Sequence, residues 1–246
     1  MKKGISRLAV CLFWLGVWQA ASLLVAQELF IPSPRRVGER LFALAGNAVF
    51  WKAIGATLLR IAAGYAGGMC LGSLFGLLTW RIPALHRLFA PLLALLRTAP
   101  VSSFILLVLL WVPAGLVPVC ISTLLVAGLF WQTVYDGAHS MDKSFLEMAQ
   151  VYRLSPRVRF RAIFWPSIRP VFLSTASTAI GLAWKSGVAA EVLSHPAFSM
   201  GKALYESKIY LETPDLFAWT LLVVVFSMLF EHCFRRLFAR AAAQTR

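Results

Sequence analysis

Residues 144–170 read SFLEMAQVYRLSPRVRFRAIFWPSIRP. The stretch carries Arg153, Arg157, Arg159, Arg161 and Arg169, and Pro156 and Pro166 interrupt it. Its flanks have the opposite character. Residues 98–135 hold no charged side chain, and residues 170–190 hold only Lys185. A basic segment between two such runs has the pattern of a polar connection between membrane spans. Within it, Ser144 followed by Glu147 has the form of a capping box. Phe145, Met148, Ala149 and Tyr152 recur at helical spacing and give one apolar edge. The pattern predicts a short helix over 144–154, and Ser155-Pro156 supplies the cap and first residue of the next. Two uses fit such a helix. It rests on anionic lipid at the interface, or it docks in a groove of another protein.

The composition agrees with a membrane setting. The chain has 246 residues, 59% of them hydrophobic and 14% charged, with a net charge of +14. Soluble domains have about 45–50% apolar and about 25% charged residues. The basic residues punctuate the gaps between apolar runs and form no single stripe, which argues against nucleic acid as a partner. The chain shows no CxxC, HExxH, GxSxG or Walker A pattern, so no catalytic, cofactor or metal site is expected.

A bilayer core of about 30 Å needs about 20 apolar residues at 1.5 Å each. Six spans are expected, at roughly 8–27, 61–80, 98–113, 116–135, 170–190 and 215–233. The first is read as a retained anchor and not as a cleaved signal. WVPAGLVP, at 111–118, is read as a tight turn between the third and fourth. Lys2, Lys3, Arg7, Arg81, Arg87, Arg97, Lys143, the five arginines of the opening stretch, Arg235, Arg236, Arg240 and Arg246 then share one side. The richer side is cytoplasmic. Both termini and the short helix are therefore expected in the cytoplasm, and residues 1–246 are read as one transmembrane domain.

Gly64, Gly68, Gly72 and Gly76 recur every four residues on one helix face. Small residues at this spacing let helix backbones approach closely in lipid. The stripe packs within the chain's own bundle, or it meets a second subunit or slides; spacing does not separate these. Lys185 and Glu191 are the charges to suspect of function, lining a path or lying at an interface. Six positions turn them about 120° apart on a helix, so direct pairing is not expected. Lys185 is read as snorkelling or lining a watery cavity. Glu191 is read as lying at the outer interface, where its cost is small.

The opening stretch resembles the cytoplasmic EAA loop of ABC-importer permeases. Glu147, Ala149, Ile163 and Pro166 match its pattern, while Met148 stands for an alanine and Arg153 for a glycine. IPSPRRVGERL at 31–41, TLLRIAAGYAGGMCLGSLFGLL at 57–78, LRTAPVSSF at 96–104 and GLAWKSGVAAEVL at 181–193 resemble the nitrate, sulfonate and taurine branch. A Gly-Leu-Gly usual in that branch reads Ser199-Met200-Gly201.

The resemblance implies an all-α polytopic membrane protein with six transmembrane helices of type I importer fold and a cytoplasmic coupling helix. It also implies a bacterial inner-membrane location and an importer for a small solute that is nitrate-, sulfonate- or taurine-like. The implied partners are two ATP-binding ABC subunits, an extracytoplasmic substrate-binding protein, a second permease subunit in a homodimer, and the lipid bilayer. Phe145, Glu147, Met148, Ala149, Tyr152 and Arg153 would couple to the ATPase. Glu147 caps the helix, contacts the ATPase, or does both. Arg153 is expected to turn without positive φ or to stay helical. A self-sufficient secondary transporter or channel is the alternative; it would call for inverted repeats or more intramembrane charge. A membrane enzyme would need clustered acids or histidines, and Glu206, Glu212 and Asp215 read as a solvated loop.

Overall fold

The computed structural model describes residues 2–243. Helices α1 (Lys2–Val25), α2 (Pro34–Ala45), α3 (Ala48–Arg81), α4 (Pro83–Thr98), α5 (Val101–Leu109) and α6 (Val117–His139) form the first half. Then come α7 (Lys143–Val151), α8 (Pro156–Arg159), a π-helical turn (Phe160–Phe164), α9 (Trp165–Ser194), α10 (Met200–Ile209) and α11 (Thr213–Ala243). No strand occurs among the described residues.

Three helical segments are long and apolar enough to cross a bilayer: α3, α6 and residues Thr213–Arg236 of α11. The pair α4–α5 makes a fourth if it counts as one span, bent by 108°. Within the expected third span at 98–113, residues 101–109 form α5. Proline at 100 holds Ala99 in the extended region, at φ −72° and ψ 144°, and breaks the helix there. The remaining α5 has nine residues and is only about 14 Å long. α9 has 30 residues but is diluted by Ser174, Thr175, Ser177, Thr178, Lys185 and Ser186. It packs against α3, α6 and α11; Ser174, Thr178 and Lys185 lie on its exposed side, and the buried Ser186 donates to the Leu182 carbonyl at 2.8 Å.

α6 is the axis of the fold, packed between α3 and α9. Phe130, Val126, Ile61, Ala183, Trp184 and Met200 fill the space around it. The buried aromatics with polar tips are satisfied, as burial requires. Tyr65 Oη donates to the Ala176 carbonyl at 3.0 Å, and Trp184 Nε1 donates to the Val223 carbonyl at 3.0 Å.

The glycine stripe lies on the α3–α6 seam. A Cβ placed on Gly64 would sit 2.6 Å from Ser122 Cβ, and one on Gly68 2.6 Å from Val126 Cβ. On Gly72 it would sit 2.8 Å from Ala127 Cα, and on Gly76 2.8 Å from Val134 Cβ. All four glycines therefore face a helix of the same chain. Thr123 Oγ1 donates across the seam to the Gly64 carbonyl at 3.2 Å, a contact that close approach makes possible.

At the end of the bundle away from the arginine-rich segment, α2 lies across the start of α11. Ser33 caps α2, and Pro34 is its first residue. Arg40 grips Asp215 through Nε and Nη2, the latter 2.6 Å from Oδ2. Asp215 sits in the first turn of α11, where a negative charge complements the helix dipole.

Candidate functional site

The short helix forms where the sequence places it, with a different cap. Asp142, not Ser144, is the N-cap of α7; its carboxylate accepts from Ser144 N at 2.9 Å. That hydrogen bond holds the Asp142 carboxyl below the usual carboxylate range. Ser144 is thus the second helical residue, and Glu147 lies beyond the first turn, exposed and out of reach of the cap. Asp and Ser cap about equally well, but the aspartate charge also meets the positive helix end.

The apolar edge divides in two. Ala149 is fully buried, while Phe145, Met148 and Tyr152 are exposed, Tyr152 at 72%. Val151, which sequence reasoning passed over, is exposed with them. The helix ends on Arg153, which stands at φ 48° in the left-handed region. Arg153 N donates to the Gln150 carbonyl and Leu154 N to the Ala149 carbonyl, each at 3.0 Å. This pair of bonds is a Schellman closure. The arginine therefore takes the backbone conformation that a glycine would take, contrary to the expectation from its side chain. The two bonds hold it there against a cost of about 1–2 kcal/mol. Arg153→Val is expected to lower the hydrogen-exchange protection of amides 149–154, because a β-branched residue fits that region worse. Arg153→Gly is expected to keep or raise it. Equal protection in both would show that the closure does not depend on this backbone position.

Ser155 then caps α8, and Pro156 is its first residue, as the sequence predicts. α8 passes without a break through the π-helical turn into α9. Pro166 has no N–H to give the ladder, and a π turn is one way to absorb such a gap. Phe164 in this turn and Ile168 in α9 are buried with Val134 and Ala138 of α6 and with Met141 just after it. The path from α7 therefore leads directly into the axis of the bundle.

Glu191 lies in the last turn of α9. It is fully buried. Its Oε2 accepts from Thr57 Oγ1 at 2.8 Å and from Gly201 N at 3.2 Å, and its Oε1 accepts from Arg60 Nη1 at 3.1 Å. Arg60 also donates to the carbonyls of Ala197, at 2.8 Å, and Phe198, at 3.1 Å. Thr57 Oγ1 in turn accepts from Met200 N at 3.0 Å. One guanidinium and two neutral donors offset the desolvation that a buried carboxylate would otherwise suffer. The cluster ties α3, α9, α10 and the turn between the last two. Gly201 is required here, since a Cβ would come within 2.7 Å of the Glu191 carbonyl carbon. Ser199 and Met200 fill the other two motif positions productively. Ser199 caps α10, accepting from Lys202 N at 3.0 Å, and Met200 is fully buried in the core. Thr57 and Arg60 are the residues that sequence reasoning missed; the run marks Arg60 only as the charge before an apolar segment. Lys185 points out of the bundle and makes no ion pair among the described residues.

Residues 68–245 match the family model of the binding-protein-dependent transport system inner membrane component. The chain belongs to that family. Among curated relatives of this permease chain, the formylaminopyrimidine transport permease protein ThiX of Halalkalibacterium halodurans is 28% identical over 187 residues, 74% of each chain. The taurine transport system permease protein TauC of Escherichia coli is 24% identical over 220 residues, 87% of this chain and 80% of TauC. Among solved structures, the fold is similar to a chain of the MetNI methionine ABC transporter, determined in inward facing conformations. The TM-score is 0.62 at 16% identity, covering 85% of this chain and 99% of that one. The permease is thus a multi-pass membrane subunit of a binding-protein-dependent ABC importer. It is a transport subunit, and in this family a partner ATPase hydrolyses ATP.

Proposed function

We propose that the permease forms one half of a paired translocation pathway and that α7 is its coupling helix. The carrying observation is the row of Phe145, Met148, Val151 and Tyr152, exposed on a short helix on which Ala149 is fully buried. Large apolar side chains held out in this way fit a groove of a partner protein. A basic interfacial helix on lipid explains the arginines less well, because they follow α7 and do not line it. An ATP-binding subunit would seat α7, and ATP-driven closure of two such subunits would move a pair of coupling helices. The π turn and α9 would carry that movement into the bundle and switch its access from one side to the other.

In this reading α1, α3, the α4–α5 pair, α6, α9 and α11 make six crossings, with both termini and α7 in the cytoplasm of a bacterial inner membrane. The concentration of Lys and Arg on that side supports the orientation. A substrate-binding protein would deliver a small polar solute to the opposite face, of the class that the taurine and formylaminopyrimidine permeases are named for. The second subunit would be another copy of this chain.

Reversing the charge at Glu147 tests the role of α7. Glu147 is exposed between Phe145 and Met148, and a reversed charge at the centre of an interface opposes docking. Glu147→Arg is expected to lower ATPase activity coupled to transport about tenfold in proteoliposomes, with the subunit still inserted in the membrane. Unchanged coupling would remove α7 from the mechanism.

A further inference from the structure

A cavity of about 520 Å³ opens at the arginine-rich end of the bundle. It lies where the last turn of α3, Met141, α7, α8 and the π turn meet. Arg81, Arg159 and Gln150 give it its polar groups, and Trp80, Phe160 and Phe164 are aromatic walls. The walls are mutually packed, with ring centroids 5.2 Å apart for Trp80 and Phe164 and 5.3 Å apart for Phe160 and Phe164. No acidic residue lines the cavity. Neither Arg81 nor Arg159 has an ion pair among the described residues. Arg159 Nε is shut off from solvent and has no hydrogen-bond partner. Arg60, by contrast, donates to Glu191 and to the Ala197 and Phe198 carbonyls.

We infer that this cavity binds a phosphate group, and that the headgroup of an anionic phospholipid is its chief source. Two guanidinium forks from different helices are the donor set that binds phosphate with defined geometry. A buried guanidinium donor without an acceptor is a demand that a ligand can meet. The aromatic walls beside the forks suit the glycerol and upper acyl part of an amphiphile, as aromatic side chains do at the membrane interface. A general excess of positive charge on this side accounts for orientation, but it does not require a concave pocket free of acids or an unmet donor. A bound headgroup would touch Gln150 of α7 and Arg81 of α3 together. It would thus brace the short helix against the bundle and make the strength of that bracing depend on the lipid.

The test measures lipid retention and not transport, so it stands apart from the coupling role of α7. The full chain, purified with its co-expressed subunits, is equilibrated with vesicles of phosphatidylglycerol in phosphatidylcholine, and retained lipid is counted by native mass spectrometry. Wild-type protein is expected to keep phosphatidylglycerol selectively. Arg81→Gln with Arg159→Gln is expected to lower that retention about tenfold or more, since each lost charge-assisted contact is worth about tenfold. Arg159→Lys keeps the charge without the fork and is expected to lose less; it serves also if the double variant does not fold. Arg87→Gln removes a charge from the same side but not from the cavity and is expected to behave as wild type. Retention of inorganic phosphate that displaces the lipid, lost in the same variants, would support the phosphate site with a soluble source. Three results overturn the inference: equal retention by the wild type, the double variant and Arg159→Lys, an equal loss in Arg87→Gln, or a cysteine at Gln150 that cross-links to the ATPase subunit and leaves no lipid bound.

Discussion

Leucine in place of Gly72 is expected to prevent α3 and α6 from closing, at a cost of about 3 kcal/mol or more. A Cβ at Gly72 would lie 2.8 Å from Ala127 Cα and 2.9 Å from Phe130 Cβ, and it would press on the Ala127 carbonyl oxygen. Two of these obstacles are main chain, so no rotamer change relieves them. In lipid the seam has no hydrophobic effect to fall back on, and its contacts depend on close approach. Two other glycines of α3 give the contrast. At Gly67 the nearest atom is Thr123 Oγ1 at 3.3 Å, a side chain that can turn, and at Gly55 nothing lies within 4 Å. Gly55→Ala should be harmless or gain up to about 1 kcal/mol in helix propensity. The measurement is the thermal midpoint of the purified subunit in detergent, with uptake in vesicles beside it. A Gly72→Leu protein with the wild-type midpoint and uptake would show that the helices are not in contact there.

The second large effect is expected at Glu191. Alanine there leaves Arg60 without its carboxylate and deprives Thr57 Oγ1 and Gly201 N of their acceptor. Breaking a buried pair from one side costs about 3–5 kcal/mol. The lower end applies, because the Arg60 side chain keeps 17% exposure and still holds the Ala197 and Phe198 carbonyls. Glu191→Gln keeps an oxygen for one donor and the shape of the site, so it should lose about half as much. Both variants should loosen the turn between α9 and α10 first, which proteolysis or hydrogen exchange across 195–201 would register. If Glu191→Ala melts and exchanges like wild type, the cluster contributes nothing to holding that turn.

The glycine stripe was legible because a helix repeats every 3.6 residues and the spacing of four follows it. Which helix it meets was not legible, since Ser122, Val126 and Val134 lie far along the chain. The same distance hid Glu191, whose partners Thr57 and Arg60 are 134 and 131 positions upstream. A lone acid near the end of an apolar run looks like an interfacial residue until such partners are known. At α7 the helix and its apolar side chains were legible, but the cap was not, because Asp142 and Ser144 both offer an oxygen at a permitted place. Arg153 misled for a different reason. Residue type gives a preference for φ, and two hydrogen bonds that close a helix outweigh it. The elbow between α4 and α5 rests on one bond, Ala99-Pro100, whose stiffness ends α4 where the uncharged run begins.

Two rods meshed at every turn behave as a single lever. A slip of α3 along α6 has to climb four steps at once, and its next resting place lies about 6 Å further along. Whatever change of shape the subunit undergoes is therefore pushed outward, to the 108° elbow at 99–100 and the helices hung around the central pair.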